Sequence, residues 1–158
     1  MSVEIERKWF VSTPPEVAGN GTPLRQGYIN EDGGTEVRLR AKGDRFLLTV
    51  KRGYGMTRTE VEIDLDEEQF EALWPLTAGR RVEKVRHKIS HGPYTIELDI
   101  FSGSLAPLVV AEVEFSGEDA ATSYSPPSWF DVELTGREGW SNGDLARNGL
   151  PTGTATAK

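Results

Sequence analysis

The sequence predicts a mainly β protein of the α+β class, built around an antiparallel sheet or barrel with peripheral helices. Short segments in which apolar and polar residues alternate recur along the chain at the spacing of hairpins. The 17 glycines and 9 prolines favour many turns over long helices. The 158 residues suggest a single domain, expected over 1–150, and the small polar tail at 151–158 is expected to be disordered.

The strands are predicted from a side-chain period of two. Segment 35–41 shows this period most clearly, because Val37 and Leu39 fall on one face. Arg38 and Arg40 fall on the opposite face of the same segment. The same alternation between glycine and proline turns predicts strands over 3–11, 24–30, 35–41, 45–51, 56–65, 81–91, 94–101 and 108–115.

Short helices are predicted between and after these strands. Asp66 can cap a helix whose acidic first turn suits the helix dipole, and Pro75 is expected to end it. A second short helix is predicted over 118–124. A third is predicted near the end of the chain, with Ser141 or Asn142 as its cap.

Composition limits the classes of function. The net charge of −7 and the pI near 4.9 disfavour binding to nucleic acid. No apolar run is long enough to span a membrane, and the chain starts without an apolar stretch, so neither a membrane partner nor a signal peptide is expected. The absence of cysteine excludes disulfides and thiolate metal sites and favours a cytoplasmic location.

The first predicted strand carries the most informative motif. Glu4, Glu6 and Lys8 share one face of it, with alternate residues about 6.7 Å apart. Two neighbouring carboxylates are mildly unfavourable on a solvated sheet, but together they can bind a hard divalent cation such as Mg²⁺. For this motif alone, an exposed charged strand face is the alternative interpretation.

The other strands sort their charges in the same way. The carboxylate pairs are Glu4/Glu6, Glu60/Glu62, Glu97/Asp99 and Glu112/Glu114, and the cations are Lys8, Arg38/Arg40, Lys51 and Lys84/Arg86. Because like charges destabilise an ordinary solvated face, we expect these faces to point into the interior of a closed barrel. Buried charges must be paired or solvated, which favours a wet tunnel. A polyphosphate chelating a divalent metal would need both walls.

These motifs resemble the CYTH superfamily, also called triphosphate tunnel metalloenzymes. Its defining E-x-E-x-K motif matches Glu4, Glu6 and Lys8, and the later charged pairs follow in the family's order between residue 2 and about 149. Within the superfamily the chain looks most like the compact bacterial inorganic tripolyphosphatases. The resemblance implies an eight-stranded antiparallel tunnel with peripheral helices, and hydrolysis of inorganic tripolyphosphate to pyrophosphate and phosphate.

The resemblance also implies roles for individual residues. It implies Mg²⁺ or Mn²⁺ as the cofactor, with ligands drawn from Glu4, Glu6, Glu60, Glu62, Glu97, Asp99, Glu112 and Glu114. Substrate phosphates would contact Arg38, Arg40, Lys51, Arg58, Lys84 and Arg86. Lys8 would position the attacking water, with Tyr28 as its partner in accepting a proton.

Several alternatives stay open at this point. The same tunnel could belong to a class IV-type adenylate cyclase, to a nucleoside or thiamine triphosphatase, or to a polyphosphate-binding module without turnover. Tyr28 is equally well explained as a core tyrosine, and Arg58 as a salt-bridge partner. The oligomeric state cannot be read from the residues, although a homodimer is common among such compact family members.

Overall fold

A computed structural model describes residues 2–53 and 56–151. Within these residues eight antiparallel strands form a closed barrel in the order β1-β5-β4-β3-β2-β6-β7-β8, which confirms the predicted fold class. The strands are β1 (Ser2–Phe10), β2 (Thr22–Asp32), β3 (Thr35–Lys42), β4 (Arg45–Arg52), β5 (Thr57–Leu65), β6 (Arg81–His91), β7 (Tyr94–Phe101) and β8 (Val109–Phe115). The α-helices are α1 (Glu67–Leu73), α2 (Glu118–Ser123) and α3 (Asn142–Asn148).

Barrel closure brings the first strand beside the last. β1 pairs with β8 from Ile5 to Phe10, so that Glu6 lies opposite Glu114 and Lys8 opposite Glu112. The other side of β1 pairs with β5 over its first residues. Because side chains alternate along every strand, closure places the charged faces of all these strands inside one bore.

The outer faces of the barrel are apolar and are covered on two sides. On the side of α1, Phe70 packs on Leu39 and Ala41 of β3. On the side of α2, Ala121 joins a cluster that includes Trp9 and Leu98. Coverage of both faces removes the apolar sides of these strands from water, which is the main stabilisation of such a fold.

The ends of two helices refine the predictions. Asp66 caps α1, because its side chain accepts a hydrogen bond from the main-chain N–H of Gln69. The Gln69 side chain in turn accepts from the main-chain N–H of Asp66, and the two bonds form a capping box. The α-helix ends at Leu73 with Trp74 as its C-cap, directly before Pro75, as predicted. A 3₁₀ turn follows over Trp74–Thr77, and the missing N–H of Pro75 is tolerated near its start. Ser141, and not Asn142, caps α3.

The first hairpin runs further than its sequence suggests. A turn was expected over 31–34, but β2 continues to Asp32 and β3 begins at Thr35. Gly33 and Gly34 alone form the turn, both with positive φ (57° and 81°). Such angles suit a two-residue hairpin whose twist matches that of the strands.

One end of the bore is apolar, which the sequence did not indicate. Phe10, Val82 and Phe101 lie on the inward faces of their strands. They pack with Leu134, Trp140 and Leu145 from the last part of the chain. We call this group the apolar plug (Phe10, Val82, Phe101, Leu105, Leu108, Val110, Leu134, Trp140 and Leu145). The ionic bore therefore occupies only part of the barrel.

The predicted disordered tail lies, from residue 152 onward, outside the described residues. In the described part of the chain, no helix has both the length and the apolar character needed to cross a membrane.

Candidate functional site

The bore contains a cavity of about 240 Å³ with a strongly ionic wall. Apart from Ser141 and Asn142, every residue that lines it is charged. The charged lining residues are Glu4, Glu6, Lys8, Glu36, Arg38, Arg40, Lys42, Lys51, Arg58, Glu60, Glu62, Arg86, Glu97, Glu112 and Glu114. The sorted charges thus converge in one internal space and not on an outer face of the sheet.

Nearly all of the predicted site residues lie on this wall. The exceptions are Tyr28, Lys84 and Asp99, which are fully or almost fully buried behind it. Sequence alternation placed Lys84 and Asp99 on the inward face correctly. It could not place them in depth along and behind the bore.

Three carboxylates form an acidic cluster, Glu4, Glu6 and Glu114, whose oxygen atoms lie within 4.8 Å of one another. Burial, together with Glu112 and Glu4, raises the pKa of Glu6 to about 7. The Glu114 side chain is exposed as a whole, but its carboxyl group is partly desolvated at the cavity wall, and this desolvation, together with Glu97 and Glu4, raises its pKa to about 7. Among the described residues, Glu4 is the one member of the cluster with a close cation, since Lys51 Nζ lies 2.8 Å from its Oε1.

This acidic cluster fits a hard divalent cation. Mg²⁺ and Mn²⁺ prefer carboxylate oxygens and water as ligands. Glu4 and Glu6 project from β1, and Glu114 comes from β8 directly opposite Glu6. The pKa values of Glu6 and Glu114 are raised mainly by loss of solvent around each carboxyl group and then by the neighbouring carboxylates, and a bound cation would offset both effects.

A second part of the wall holds an excess of positive charge. Burial, and then the nearby Arg38 and Arg86, lower the pKa of Arg40 to about 10. Arg40 Nε donates to the neutral amide oxygen of Gln26 at 2.8 Å. Buried Arg38 Nε has no hydrogen-bond partner among the described residues. Guanidinium groups held in this way are suited to phosphoryl oxygens.

On another part of the wall, Arg86 joins the buried Lys84 and Asp99 in a closed cluster (Lys84, Arg86 and Asp99). Arg86 grips the Asp99 carboxylate with two hydrogen bonds of 2.7 and 2.8 Å, and Lys84 Nζ lies 2.7 Å from the same carboxylate. Burial alone would raise the pKa of Asp99, but Lys84 and Arg86 outweigh it and hold that pKa well below its usual range. Burial lowers the pKa of Lys84 to about 8 despite Asp99.

The two predicted catalytic residues lie on different strands and have different partners. Lys8 Nζ donates to the main-chain oxygen of Trp140 at 3.2 Å and lies 3.9 Å from Glu112. The Tyr28 hydroxyl accepts from Gln26 Nε2 at 2.8 Å. Burial, and then Glu36, raise the pKa of Tyr28. No contact between Tyr28 and Lys8 is present among the described residues.

Glu36 is a wall residue that the sequence analysis did not select. It is buried and lies 4.0 Å from Arg38 and 3.5 Å from Arg58. Arg58 therefore has a salt-bridge partner and also lines the cavity, so its two interpretations are compatible. Glu36 shares a strand face with Arg38, but its charge is opposite to that of its neighbours. It therefore belongs to none of the like-charged pairs that predict the site.

The site contains three further polar residues that were not predicted from the sequence: Asn142, Lys42 and Gln26. Asn142 Oδ1 accepts from Lys84 Nζ at 3.0 Å, which ties the start of α3 to the wall of the bore. Lys42 continues the alternating face of β3 into the cavity. Gln26 occupies the matching inward position on β2, opposite Arg40. For Lys42 and Gln26, the side-chain period of two in the sequence could have indicated that they face the bore.

A second cavity, of about 530 Å³, adjoins the first at the end near the apolar plug. The two cavities share Glu6, Lys8 and Arg58. The second is bounded by hairpin glycines on one side and by parts of residues 134–147 on the other. It gives the ionic bore a wide mouth with both polar and apolar lining.

Comparison with known proteins places this geometry among characterised relatives. The chain is 47% identical over 146 residues to an inorganic triphosphatase from Nitrosomonas europaea, covering 90% of this chain and 96% of the relative. It is 36% identical to an inorganic triphosphatase from Acetivibrio thermocellus, covering 94% and 96%. A crystal structure of an inorganic triphosphatase matches with a TM-score of 0.69 and 44% identity, covering 94% of this chain and all of the other. No protein-family model matches the sequence.

Proposed function

The chain belongs to the inorganic triphosphatases of the CYTH tunnel superfamily, and from this premise we propose that it uses a divalent metal to hydrolyse inorganic tripolyphosphate into pyrophosphate and phosphate. One observation carries the proposal. The acidic cluster concentrates negative charge, and the neighbouring Arg38, Arg40 and Arg86 concentrate positive charge. Both groups line the same cavity. A polyphosphate with its metal would neutralise both in one binding event.

Glu4, Glu6 and Glu114 are the proposed metal ligands, because their oxygens already cluster. Four further carboxylates on the cavity wall are proposed as outer ligands through water: Glu60, Glu62, Glu97 and Glu112. Glu36, which also lines the wall, lies beside Arg38 and Arg58 instead. Asp99 is proposed to orient Lys84 and Arg86, since both are bonded to it. When bound, Mg²⁺ or Mn²⁺ neutralises phosphoryl oxygens and makes water a better nucleophile at neutral pH.

The cations are proposed to hold the phosphate chain. Arg38 and Arg40 offer planar forks for phosphoryl oxygens. Arg86 adds positive charge to the wall while its fork holds Asp99. Lys51 and Arg58 add charge near the acidic cluster. Phosphoryl transfer relies on positioning and on electrostatic stabilisation of charge spread over the transferred group. A preformed ring of cations supplies both without reorganisation.

Lys8 is proposed to hold the attacking water, because it lines the cavity next to the carboxylates. Water attacks the terminal phosphorus, the bond to the bridging oxygen breaks, and pyrophosphate leaves. Tyr28 lies beside Gln26, which also binds Arg40. We therefore propose that Tyr28 assists by orienting the arginines from behind the wall.

A substrate panel tests this function. Purified protein would be incubated with tripolyphosphate, pyrophosphate, ATP or thiamine triphosphate, with Mg²⁺, Mn²⁺ or excess chelator. The expected result is release of one phosphate and one pyrophosphate per tripolyphosphate, only with metal. Cyclic AMP and pyrophosphate from ATP would instead favour a cyclase. Tight binding without turnover at saturating metal would favour a polyphosphate-binding module.

Two substitutions separate binding from turnover. Lys8→Ala should lower kcat by about 100-fold with a small change in KM, because it removes a group proposed to act on the water. Arg38→Ala should lower kcat and raise KM together, because it removes a phosphate contact. Equal effects of both substitutions on KM alone would contradict the assigned roles.

A further inference from the structure

The strand that carries Lys8 changes partner along its length. The first half of β1 pairs with β5, but beyond it residues 131–135 cover the same edge. Phe10 N donates to Val132 O, and Asp131 N donates to Phe10 O, each at 2.8 Å. Residues 131–135 thus act as a short substitute strand beside the part of β1 that contains Lys8.

The main chain of Lys8 is held by this segment in an unusual way. Leu134 N donates to Lys8 O at 2.8 Å, as a neighbouring strand would. Lys8 N, however, donates to a side-chain hydroxyl, Thr135 Oγ1, at 2.9 Å. A single hydroxyl therefore stands where a sheet would normally supply a main-chain carbonyl.

The direction of the Thr135 hydroxyl is fixed by a chain of charged partners. Thr135 Oγ1 donates its one proton to Glu133 Oε2 at 2.8 Å, which leaves its lone pairs free to accept from Lys8 N. Arg7 grips the Glu133 carboxylate with two hydrogen bonds, both of 2.8 Å. The Arg7 guanidinium is itself held by Ala121 O at 2.7 Å.

The same segment also reaches the far end of the Lys8 side chain. Leu134 and Trp140 are both buried in the apolar plug, at 1% and 2% exposure, which fixes the path between them. Trp140 O accepts from Lys8 Nζ at 3.2 Å. Lys8 is therefore held at its main chain by Thr135 and at its ammonium group by Trp140.

We propose that Thr135, oriented by Glu133 and Arg7 on the outside of the barrel, is a positioning residue that sets the place of the Lys8 ammonium group during hydrolysis. This inference rests on the proposed role of Lys8 toward the attacking water. Thr135 acts through the strand, so it affects the placement of Lys8 more than the binding of the phosphate chain. Errors of about 1 Å in such placement can lower turnover by about 100-fold.

The test compares Thr135→Val, which keeps the shape but removes the hydroxyl, with Thr135→Ser, which keeps it. Thr135→Val should lower kcat on tripolyphosphate by about ten-fold with KM within about two-fold of the wild type. Thr135→Ser should stay within about two-fold of the wild type in both constants. The midpoint of thermal unfolding is recorded for each, and Glu133→Gln provides a second variant if Thr135→Val does not fold.

A double-variant cycle with Lys8→Met completes the test. In that background Thr135→Val should cause no further loss of residual activity, because the ammonium group that Thr135 positions is absent. Any of three results would overturn the proposal: a wild-type kcat in Thr135→Val, equal losses of kcat in the Val and Ser variants, or an additive loss of activity with Lys8→Met. Failure of the wild type to hydrolyse tripolyphosphate, or full activity in Lys8→Met, would instead contradict the proposed function.

Discussion

The acidic cluster and the closed cluster both contain buried or partly buried carboxylates but have opposite net charge. In the closed cluster, Asp99 is fully buried and both of its oxygens are bonded to cations. In the acidic cluster, Glu6 and Glu114 face each other across β1 and β8 without such partners, and Glu114 is exposed. The difference supports the proposal that a divalent cation completes the acidic cluster, whereas the closed cluster is already neutralised by its own side chains.

The comparison predicts its largest effect for Asp99→Asn. This change leaves Lys84 and Arg86 buried without their shared countercharge, which should destabilise the fold by about 3–5 kcal/mol. For a chain of this size the midpoint of thermal unfolding should fall by about 10 °C. Asp64→Asn is the control, because it breaks a solvent-exposed pair with Arg45 and should leave the midpoint of thermal unfolding nearly unchanged. Equal decreases in the midpoint of thermal unfolding for Asp99→Asn and Asp64→Asn would contradict the proposed role of Asp99 as the shared countercharge of the closed cluster.

The same chemical change in the acidic cluster should have the opposite sign. Glu6→Gln mimics the protonated acid that the raised pKa of Glu6 favours. At pH 8 and without metal it should therefore raise the free energy of unfolding by about 1–3 kcal/mol. It should also abolish most of the thermal stabilisation that Mg²⁺ or Mn²⁺ gives. Loss of stability in the metal-free variant, measured by chemical denaturation, would contradict this view of the cluster.

A pH series sharpens the comparison further. The pKa values of Glu6 and Glu114 are raised to about 7, so these groups stabilise the metal-free fold fully below about pH 4 and lose that contribution as pH rises through 7. The pKa of Asp99 is lowered, so its contribution is lost only in strong acid. Stabilisation by Mg²⁺, measured as the shift in thermal midpoint, should therefore be larger at pH 8 than at pH 6, because protons compete with the metal. A shift that does not depend on pH would count against metal binding at Glu6 and Glu114.

The smallest predicted effect is that of Tyr28→Phe. Loss of one neutral hydrogen bond to Gln26 should raise KM by roughly three- to ten-fold and leave the shape of the pH–rate profile unchanged. If activity rises toward alkaline pH in the wild type and that rise disappears in the variant, Tyr28 accepts a proton instead. Steady-state kinetics between pH 7 and 10 separate the two roles.

The sequence was a good guide to the face on which each side chain lies and a poor guide to its depth. Period-two alternation was enough to place Glu4, Arg40 and Lys84 inside the barrel, because a strand offers only two faces. It could not distinguish exposed Glu114 from buried Asp99, since depth depends on strand tilt and on what fills the barrel. The apolar plug was missed because Leu134, Trp140 and Leu145 follow no regular period.

The closure of β1 onto β8 and onto residues 131–135 has a consequence for biosynthesis. β1 finds these partners only after the strands between them have been synthesised, and contacts so distant in sequence form late and slowly. A nascent chain that lacks β8 has Glu6 but not Glu114, and Lys8 without Thr135 or Trp140. The complete pocket is therefore expected to form only after α3 has been synthesised, and chains truncated before α3 should be inactive.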